Sequence, residues 1–255
     1  MLWSAFLLAL LGLLPACATD GPDPLEGMNR SIFAFNEGVD KWVLEPVATG
    51  YDWVLPELVQ TGVRNAFTNL VMPVTLLNDI LQAKPLGAVE DLGRIVVNTT
   101  AGIGGIFDVA SMIEIPKNRE DFGQTLGRWG VPSGPYLVVP LLGPSTTRDV
   151  WQYPVDGAAR PLNYFIPIWA SVTIRVAENF STRAYYLEEL AEARANALDY
   201  YVFVRDAYLQ LREHAVTDGA APPTELQDDL YEFEDEDATA QPETSADDLY
   251  EIEDE

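Results

Sequence analysis

Two residue types with useful chemistry occur once each in this 255-residue chain: Cys17 and His214. A single thiol cannot form an internal disulfide, and the two residues alone cannot build a Cys/His zinc site. His214 also lies at the edge of an acidic tail, which offers no rigid support for a Ser-His-Asp arrangement. We therefore expect no catalytic residues, no metal site and no cofactor, and we expect that the protein is not an enzyme.

Cys17 follows an apolar run from Leu2 to Leu14, with Pro15 and Ala16 between them. An apolar residue, two small residues and a cysteine are typical of a bacterial lipobox, whose cysteine receives a diacylglycerol. The run of 13 residues would span about 20 Å as a helix, whereas a bilayer core requires about 20 residues. We predict a signal peptide over residues 1–16 and lipidation of Cys17; a buried cysteine or an ordinary signal peptide is the alternative.

A glycine cluster and nearby carboxylates are the next candidates. Gly102, Gly104 and Gly105 do not complete G-x-G-x-x-G, because Phe107 occupies the place of the last glycine. The cluster therefore favours close packing or a flexible turn over phosphate binding. Asp108 follows the cluster and could in principle do acid–base work, but a carboxylate beside a glycine-rich turn is more often a helix cap.

The net charge of −25 is unevenly distributed. Residues 213–255 contain 17 Asp and Glu and no Lys or Arg, whereas the rest of the chain has 23 acidic and 15 basic residues. This balance argues against nucleic-acid binding, which requires Lys and Arg to neutralise phosphates. It also disfavours attraction to anionic headgroups, so we expect membrane contact to be apolar and lipid-anchored.

The acidic tail, residues 216–255, is expected to be solvated and disordered. The motif Asp-Asp-Leu-Tyr-Glu begins at Asp228 and again at Asp247, 19 residues later. Apolar residues inside an acidic block are typical of short binding motifs. The candidate partner-binding residues are Leu230, Tyr231, Phe233, Leu249, Tyr250 and Ile252. A solvated tail with incidental aromatic residues is the alternative.

Prolines divide the pattern between the lipobox and the tail. Residues 17–24 form a short tether, since the eight steps from Cys17 to Leu25 span at most about 28 Å. We predict a helix over 25–43, capped by Asp23 with Pro24 at its first position. Prolines at 46, 56, 73 and 85 then predict separate short helices over 47–55, 57–70, 74–82 and 85–97. This pattern indicates an all-α fold that is either compact or a curved array.

The second half of the chain mixes apolar segments with helices. Gly-Pro pairs bound the segment from 134 to 144, which predicts an apolar hairpin or loop rather than a central strand. A helix is predicted from Tyr185, with Asp199 capping a second helix that ends near Ala215. The segments 103–107, 136–142 and 164–169 hold more apolar residues than a small soluble core needs. They could face lipid, line a route for lipid or simply form the core.

Many of these motifs, in order, resemble the MlaA/VacJ family of lipoproteins. The resemblance covers residues 23 to 215 and the lipobox. The matching motifs include Asp23-Pro24-Leu25-Glu26-Gly27-Met28-Asn29-Arg30, Asn69-Leu70, Asn98-Thr99-Thr100, Asp108-Val109-Ala110, Asp121-Phe122-Gly123-Gln124-Thr125-Leu126-Gly127 and Gly134-Pro135-Tyr136.

The resemblance implies a lipoprotein of the outer membrane, anchored on its periplasmic side. Its domain, residues 25–215, would be a ring-like, membrane-embedded array of helices around an amphipathic channel. Phospholipids would leave the outer leaflet through this channel, and a porin trimer and a periplasmic lipid carrier protein would be its partners. The predicted channel and hairpin residues are Asn98, Gly102, Gly104, Gly105, Asp108, Tyr136, Leu137, Val138 and Leu141. The alternative is an adaptor lipoprotein that recruits a periplasmic partner through its tail.

Overall fold

The computed structural model describes residues 23–219, and most of them are helical. The α-helices are α1 (Glu26–Val39), α2 (Glu45–Val54), α3 (Glu57–Leu81), α4 (Pro85–Thr100), α5 (Val109–Met112), α6 (Phe122–Arg128), α7 (Gln152–Ala159), α8 (Ile168–Tyr185), α9 (Leu187–Asn196) and α10 (Tyr200–Val216). Two strands, β1 (Tyr136–Val139) and β2 (Gly143–Thr146), complete the regular structure together with short π and 3₁₀ turns. The largely helical fold expected from the sequence is confirmed.

The start of α1 differs from the prediction. Leu25, rather than Asp23, precedes the first helical residue, Glu26, and has no side-chain cap. Asp23 is instead buried, where its Oδ1 accepts hydrogen bonds from the Leu25 backbone N–H at 3.1 Å and from Asn29 Nδ2 at 2.9 Å. The cap position of the helix therefore lies two residues later than predicted, although the Asp23 carboxylate still accepts a backbone N–H just before α1.

The break expected at Pro46 is also absent. A π-helical turn, Asp40–Leu44, joins α1 directly to α2, so the chain stays helical. Pro46 is the second residue of α2, directly after the π turn. The π turn presents Asp40 to two cations of the C-terminal half, at 2.8 Å from Arg183 Nε and 3.0 Å from Arg194 Nη2.

Pro73 was predicted to separate two helices, and this prediction is wrong. It lies inside α3, a single helix of 25 residues. A proline inside a helix costs roughly 3 kcal/mol because one backbone hydrogen bond is lost and the ring meets the preceding turn. Its neighbours Met72, Val74 and Thr75 are all buried. Packing of this segment therefore outweighs the local preference.

The predicted hairpin is present. Strands β1 and β2 pair antiparallel, with Tyr136 opposite Thr146. The exposed backbone edge of β1 is met by a side chain of α1, because Asn29 Nδ2 donates to the Tyr136 carbonyl at 3.0 Å and Asn29 Oδ1 accepts from the Val138 N–H at 2.9 Å. Asn36 holds the turn in the same way, by accepting from the Leu141 N–H at 2.8 Å. Two asparagines of α1 thus fix the hairpin.

The C-terminal helices follow the prediction more closely. Asp199 caps α10 by accepting from the Val202 N–H at 3.2 Å, as expected. The helix α8, which the sequence reasoning did not predict, packs against both α2 and α3. Helix α3 in turn packs along α4, while α10 contacts α6 and β2. Helices α3 and α8 therefore form the framework on which the candidate site lies.

The interior is unusually polar. Among residues 23–219, eight buried side chains are hydrophobic and nineteen are polar or charged. Core positions of soluble domains are normally dominated by hydrophobic residues, and charged side chains are buried only when paired. The reversed proportion indicates that apolar contact is made mainly at the outside of this fold.

Candidate functional site

The outer surface carries the apolar residues that the interior lacks. In the described part of the chain, 35 large hydrophobic side chains are exposed. All five tryptophans there are at least 55% exposed: Trp42, Trp53, Trp129, Trp151 and Trp169. Such extensive exposure of tryptophan side chains is typical of proteins that contact lipid or a large partner. No helix within residues 23–219 combines the length and the apolarity that crossing a bilayer would need.

The three apolar segments singled out in the sequence differ in their environment. In segment 164–169, Tyr164, Phe165 and Trp169 are each at least 70% exposed, so the interpretation of this segment as core is wrong. Segment 103–107 is also exposed at its large side chains. Segment 136–142 is divided, because Tyr136 is buried whereas Leu141 is exposed.

The glycine cluster forms a tight left-handed turn after α4. Ile103, Gly104 and Gly105 have φ angles of 55°, 72° and 93°. A Cβ on Gly102 would overlap the Phe107 carbonyl, and a Cβ on Gly105 would overlap the Asn69 side chain of α3. The packing role expected for these glycines is therefore confirmed at two of the three positions.

A polar network follows this turn. Arg94 Nη2 lies 2.8 Å from both carboxylate oxygens of Asp108, and Asn98 Nδ2 donates to Asp108 Oδ1 at 2.9 Å. Asp108 also caps α5, by accepting from the Ser111 N–H at 3.3 Å. Burial alone would raise the pKa of Asp108, but the hydrogen bonds from Ser111 and Asn98 and the charge of Arg94 together hold it below its usual value. Asp108 is thus an ionised structural carboxylate.

The predicted channel and hairpin residues fall into two groups, which pack against different helices. Asn98, Gly102, Gly104, Gly105 and Asp108 lie at the end of α4 and in the turn beside α3. Tyr136, Leu137, Val138 and Leu141 belong to the hairpin, which packs against α1 and α10. Tyr136 and Val138 are core residues at 1% exposure, in contact with Tyr201 of α10.

A cavity of about 550 Å³ lies between α3, α8 and the segment 117–121. Among the predicted site residues, Asp108 lines it. The walls are mixed: Phe67 and Val71 of α3 are apolar, whereas Thr68 of the same helix and Ser181 of α8 are polar. Its volume is within the range of about 300–1,000 Å³ that is usual for small-molecule sites.

The four carboxylates that line this cavity are all ion-paired. Their partners are Arg94 for Asp108 (2.8 Å), Lys84 for Glu120 (2.9 Å), Arg212 for Asp121 (2.5 Å) and Arg160 for Glu178 (2.9 Å). None of these four cations lines the cavity. Three other cations line the cavity: Arg64, Lys117 and Arg119. The sequence did not predict them, because they belong to no motif and Arg64 lies 53 residues before Lys117.

Several predicted residues lie outside the described part of the chain. They are the lipidation residue Cys17 and the tail residues Leu230, Tyr231, Phe233, Leu249, Tyr250 and Ile252. Their roles remain predictions from the sequence.

Comparison with known proteins gives consistent results. The chain is 34% identical to the intermembrane phospholipid transport system lipoprotein MlaA of Escherichia coli, over 88% of this chain and 95% of that protein. It is also 34% identical to an uncharacterized protein of Rickettsia typhi, over 76% of this chain and 78% of that protein. A solved structure described as "Structural basis for maintenance of bacterial outer membrane lipid asymmetry" matches with a TM-score of 0.68 and 34% identity, over 76% of this chain and 98% of that one.

The model of the MlaA lipoprotein family also matches residues 21–215, a range that includes the glycine turn, the hairpin and the cavity. With the similarity to the relatives over most of their length, this match establishes that the chain belongs to the MlaA lipoprotein family.

Proposed function

We propose that this protein is an outer-membrane lipoprotein that removes mislocalised phospholipids from the outer leaflet and passes them towards the periplasm. The observation that carries the proposal is the reversed distribution of polarity. Buried side chains are mostly polar, while 35 large hydrophobic side chains face outwards in the described residues. A fold of this kind suits a protein that sits in lipid and offers a polar route through its middle.

The physical task is to lower the barrier for a polar headgroup to cross an apolar medium. Moving an unpaired polar group into such a medium costs several kcal/mol. The cavity between α3 and α8 is lined both by hydroxyl and charged groups and by apolar side chains. A headgroup in the cavity would keep polar partners while its acyl chains stay near the apolar surface. No source of energy is needed for this step.

Position in the membrane is part of the proposal. Lipidation of Cys17, with a tether of eight steps to Leu25, would hold the helical domain at the periplasmic face of the outer membrane. The exposed aromatic residues Trp53, Phe165 and Trp169 would lie in the inner leaflet. A ring-like arrangement of the helices around the route would complete this picture.

The glycine turn and the hairpin are proposed to border the route. Asn98 and Asp108 would contribute polar groups on one side, and Leu141 an apolar group on the other. The left-handed φ angles at Gly104 and Gly105 define the shape of the turn, and the exposed tip of the hairpin at Leu141 supports its position at the border of the route.

The proposed partners are a porin trimer in the outer membrane and a periplasmic lipid carrier protein. The second candidate function, an adaptor that recruits the carrier, rests on the repeated Asp-Asp-Leu-Tyr-Glu motif of the tail. Truncation after Val216 separates the two. If carrier binding is lost while lipid transfer in vesicles persists, the tail is a dock; unchanged carrier affinity would contradict the adaptor function.

Purified acylated protein in vesicles tests the proposal. A fluorescent phospholipid placed in one leaflet should become accessible from the other side faster with the protein than without it. Its recovered mass should be that of the intact lipid, since hydrolysis would indicate a lipase. An unchanged rate at full incorporation would contradict the proposal.

A further inference from the structure

Most cations of this protein are neutralised by carboxylates. All 15 Lys and Arg residues lie within the described part of the chain, and ten of them form an ion pair within 4.0 Å. The five without such a carboxylate among residues 23–219 are Lys41, Arg64, Lys117, Arg119 and Arg175. Three of these five line the same cavity: Arg64, Lys117 and Arg119. In a chain with a net charge of −25, such a concentration of uncompensated positive charge requires an explanation.

The carboxylates that line the cavity form no ion pair with these three cations. Asp108, Glu120, Asp121 and Glu178 are each held by a cation from outside the lining, at 2.5 to 2.9 Å. The cavity therefore presents the positive charges of its own lining to whatever enters it.

Arg64 is held in place without losing its hydrogen-bond donors. Its guanidinium lies 3.6 Å from the centre of the Tyr185 ring. Stacking of this kind orients the guanidinium plane and leaves its N–H groups at the edge, in the geometry that phosphate oxygens accept. Within residues 23–219, those N–H groups have no hydrogen-bond acceptor.

Lys117 is affected by the other positive charges. Partial withdrawal from water lowers the pKa of its ammonium, and the charge of Arg119 lowers it further. Asp108 acts in the opposite direction, and Arg94 and Arg64 add smaller lowering effects. The fold thus keeps mutually repelling cations around one space. An anion between them would relieve the repulsion.

We propose that Arg64, Lys117 and Arg119 bind the phosphate of a phospholipid headgroup inside this cavity. This inference rests on the proposed function, because the lipid must reach the cavity. Two of the three groups, Lys117 and Arg119, are exposed, and Arg64 is half-buried, so the phosphate remains able to leave. Inorganic phosphate shares the same chemistry and is the other possible source of the anion.

Binding of short-chain lipids to the full-length acylated protein in a neutral detergent tests the proposal. The probes are dihexanoyl phosphatidylglycerol, dihexanoyl glycerol, which lacks the phosphate, and inorganic phosphate. The variant Lys117→Gln is compared with Lys41→Gln, which removes the charge of another exposed, unpaired lysine that does not line the cavity. Arg119→Gln serves as a second variant, since its side chain is also exposed.

We expect the phospholipid to bind at least about tenfold more tightly than dihexanoyl glycerol, and Lys117→Gln to weaken this binding about tenfold, as loss of a charged hydrogen bond would. Lys41→Gln should bind like the wild type. Equal affinity for the two lipids, or equal losses in the two lysine variants, would overturn the proposal. So would binding of inorganic phosphate without competition by the phospholipid, which would assign the cations to a free anion. Vesicle transfer that persists unchanged in Lys117→Gln would sink this inference and leave the proposed function standing.

Discussion

Arg94 of α4 donates from a single nitrogen, Nη2, to both carboxylate oxygens of Asp108, at 2.8 Å each. The Arg94 side chain is 1% exposed, so its charge depends on this partner. The pair spans the glycine turn from the end of α4 to the start of α5. It therefore locks the turn from both sides and fixes one wall of the cavity.

Loss of this carboxylate should be severe. Asp108→Asn leaves Arg94 buried without a counter-charge, and we expect the free energy of unfolding to fall by about 3–5 kcal/mol. Because folding lowers the pKa of Asp108, its stabilisation is present above the unfolded value of about 3.9 and is lost as the pH falls further. Denaturant unfolding at pH 7 and pH 3.5 measures both effects. The exposed carboxylate Glu189, changed to Gln, is the control; equal losses in the two variants would contradict this role.

The carboxylate of Asp91 should make the stability of the fold depend on pH in the opposite direction. Asp79 of α3 and Asp91 of α4 are buried at 1% and 0% exposure, and the negative charge of Asp79 opposes ionisation of Asp91. The pKa of Asp91 is raised to about 8, mainly by burial and to a smaller extent by the neighbouring Asp79. Between pH 4 and pH 8 the folded chain therefore holds a proton that the unfolded chain lacks, so stability falls as the pH rises, by at most about 1.4 kcal/mol per pH unit.

The variant Asp91→Asn removes this proton uptake. We expect its melting temperature to fall less than that of the wild type between pH 5 and pH 8, with Asp52→Asn, an exposed carboxylate, behaving like the wild type. Parallel curves for wild type and Asp91→Asn would show that Asp91 does not titrate in this window.

The three glycines of the turn should respond differently to substitution. At Gly104 the added Cβ meets no atom within 4 Å, so only the φ of 72° opposes alanine. That strain is roughly 1–2 kcal/mol. Gly105 combines a φ of 93° with overlap of the Cβ with Asn69, whereas at Gly102 the Cβ overlaps the backbone oxygens of Phe107 and Asn98. Overpacking typically costs about 1–3 kcal/mol and occasionally more. Thermal unfolding of the three alanine variants should rank Gly104→Ala as the mildest.

Gly104 is thus the informative position for passage of lipid. If the turn controls passage, Gly104→Val should change outer-leaflet phospholipid levels at normal protein abundance. Unchanged levels would argue against a gate at this turn, whereas Val at Gly102 or Gly105 would test folding instead.

The apolar surface should bind lipid without the anchor. We expect the chain without residues 1–17, which lacks both the predicted signal peptide and the acylated cysteine, to float with phospholipid vesicles. Changing Trp53, Phe165 and Trp169 to Ser should reduce its partition at least about a hundredfold, given about 1.5–3 kcal/mol for each large side chain buried. Circular dichroism should stay unchanged because all three side chains are exposed. Retained flotation of the triple variant would assign lipid contact to another face.

Local signals predicted much of the fold. Pro85 begins α4, Asp199 caps α10, and the Gly-Pro pairs enclose a hairpin, because each of these effects acts within a few residues. Pro73 was misjudged because its local penalty is outweighed by burial of Met72 and Val74. The cap position of the helix after Asp23 lies two residues later than predicted, and the contact of the Asp23 carboxylate with Tyr201 could not be predicted because it depends on the tertiary fold.

The cavity could not be predicted in this way. Arg64 and Lys117 are 53 residues apart in sequence and meet only because α3, α8 and the segment 117–121 surround one space. Their significance depends on which carboxylates already have partners, and this is a property of the folded chain. One faint signal exists in the sequence: outside the acidic tail, Lys117-Asn118-Arg119 places two cations two residues apart.

Phospholipid at the outer face of the outer membrane tests the central claim most directly. The measurement uses an Escherichia coli strain that lacks its own MlaA and expresses this chain at verified abundance in the outer membrane. Surface-accessible phospholipid should fall to the level of the parent strain, and the Lys117→Gln chain should restore it less completely than the Lys41→Gln chain. Surface phospholipid that stays as high as in the strain without any MlaA, despite an acylated and correctly located protein, would contradict the account.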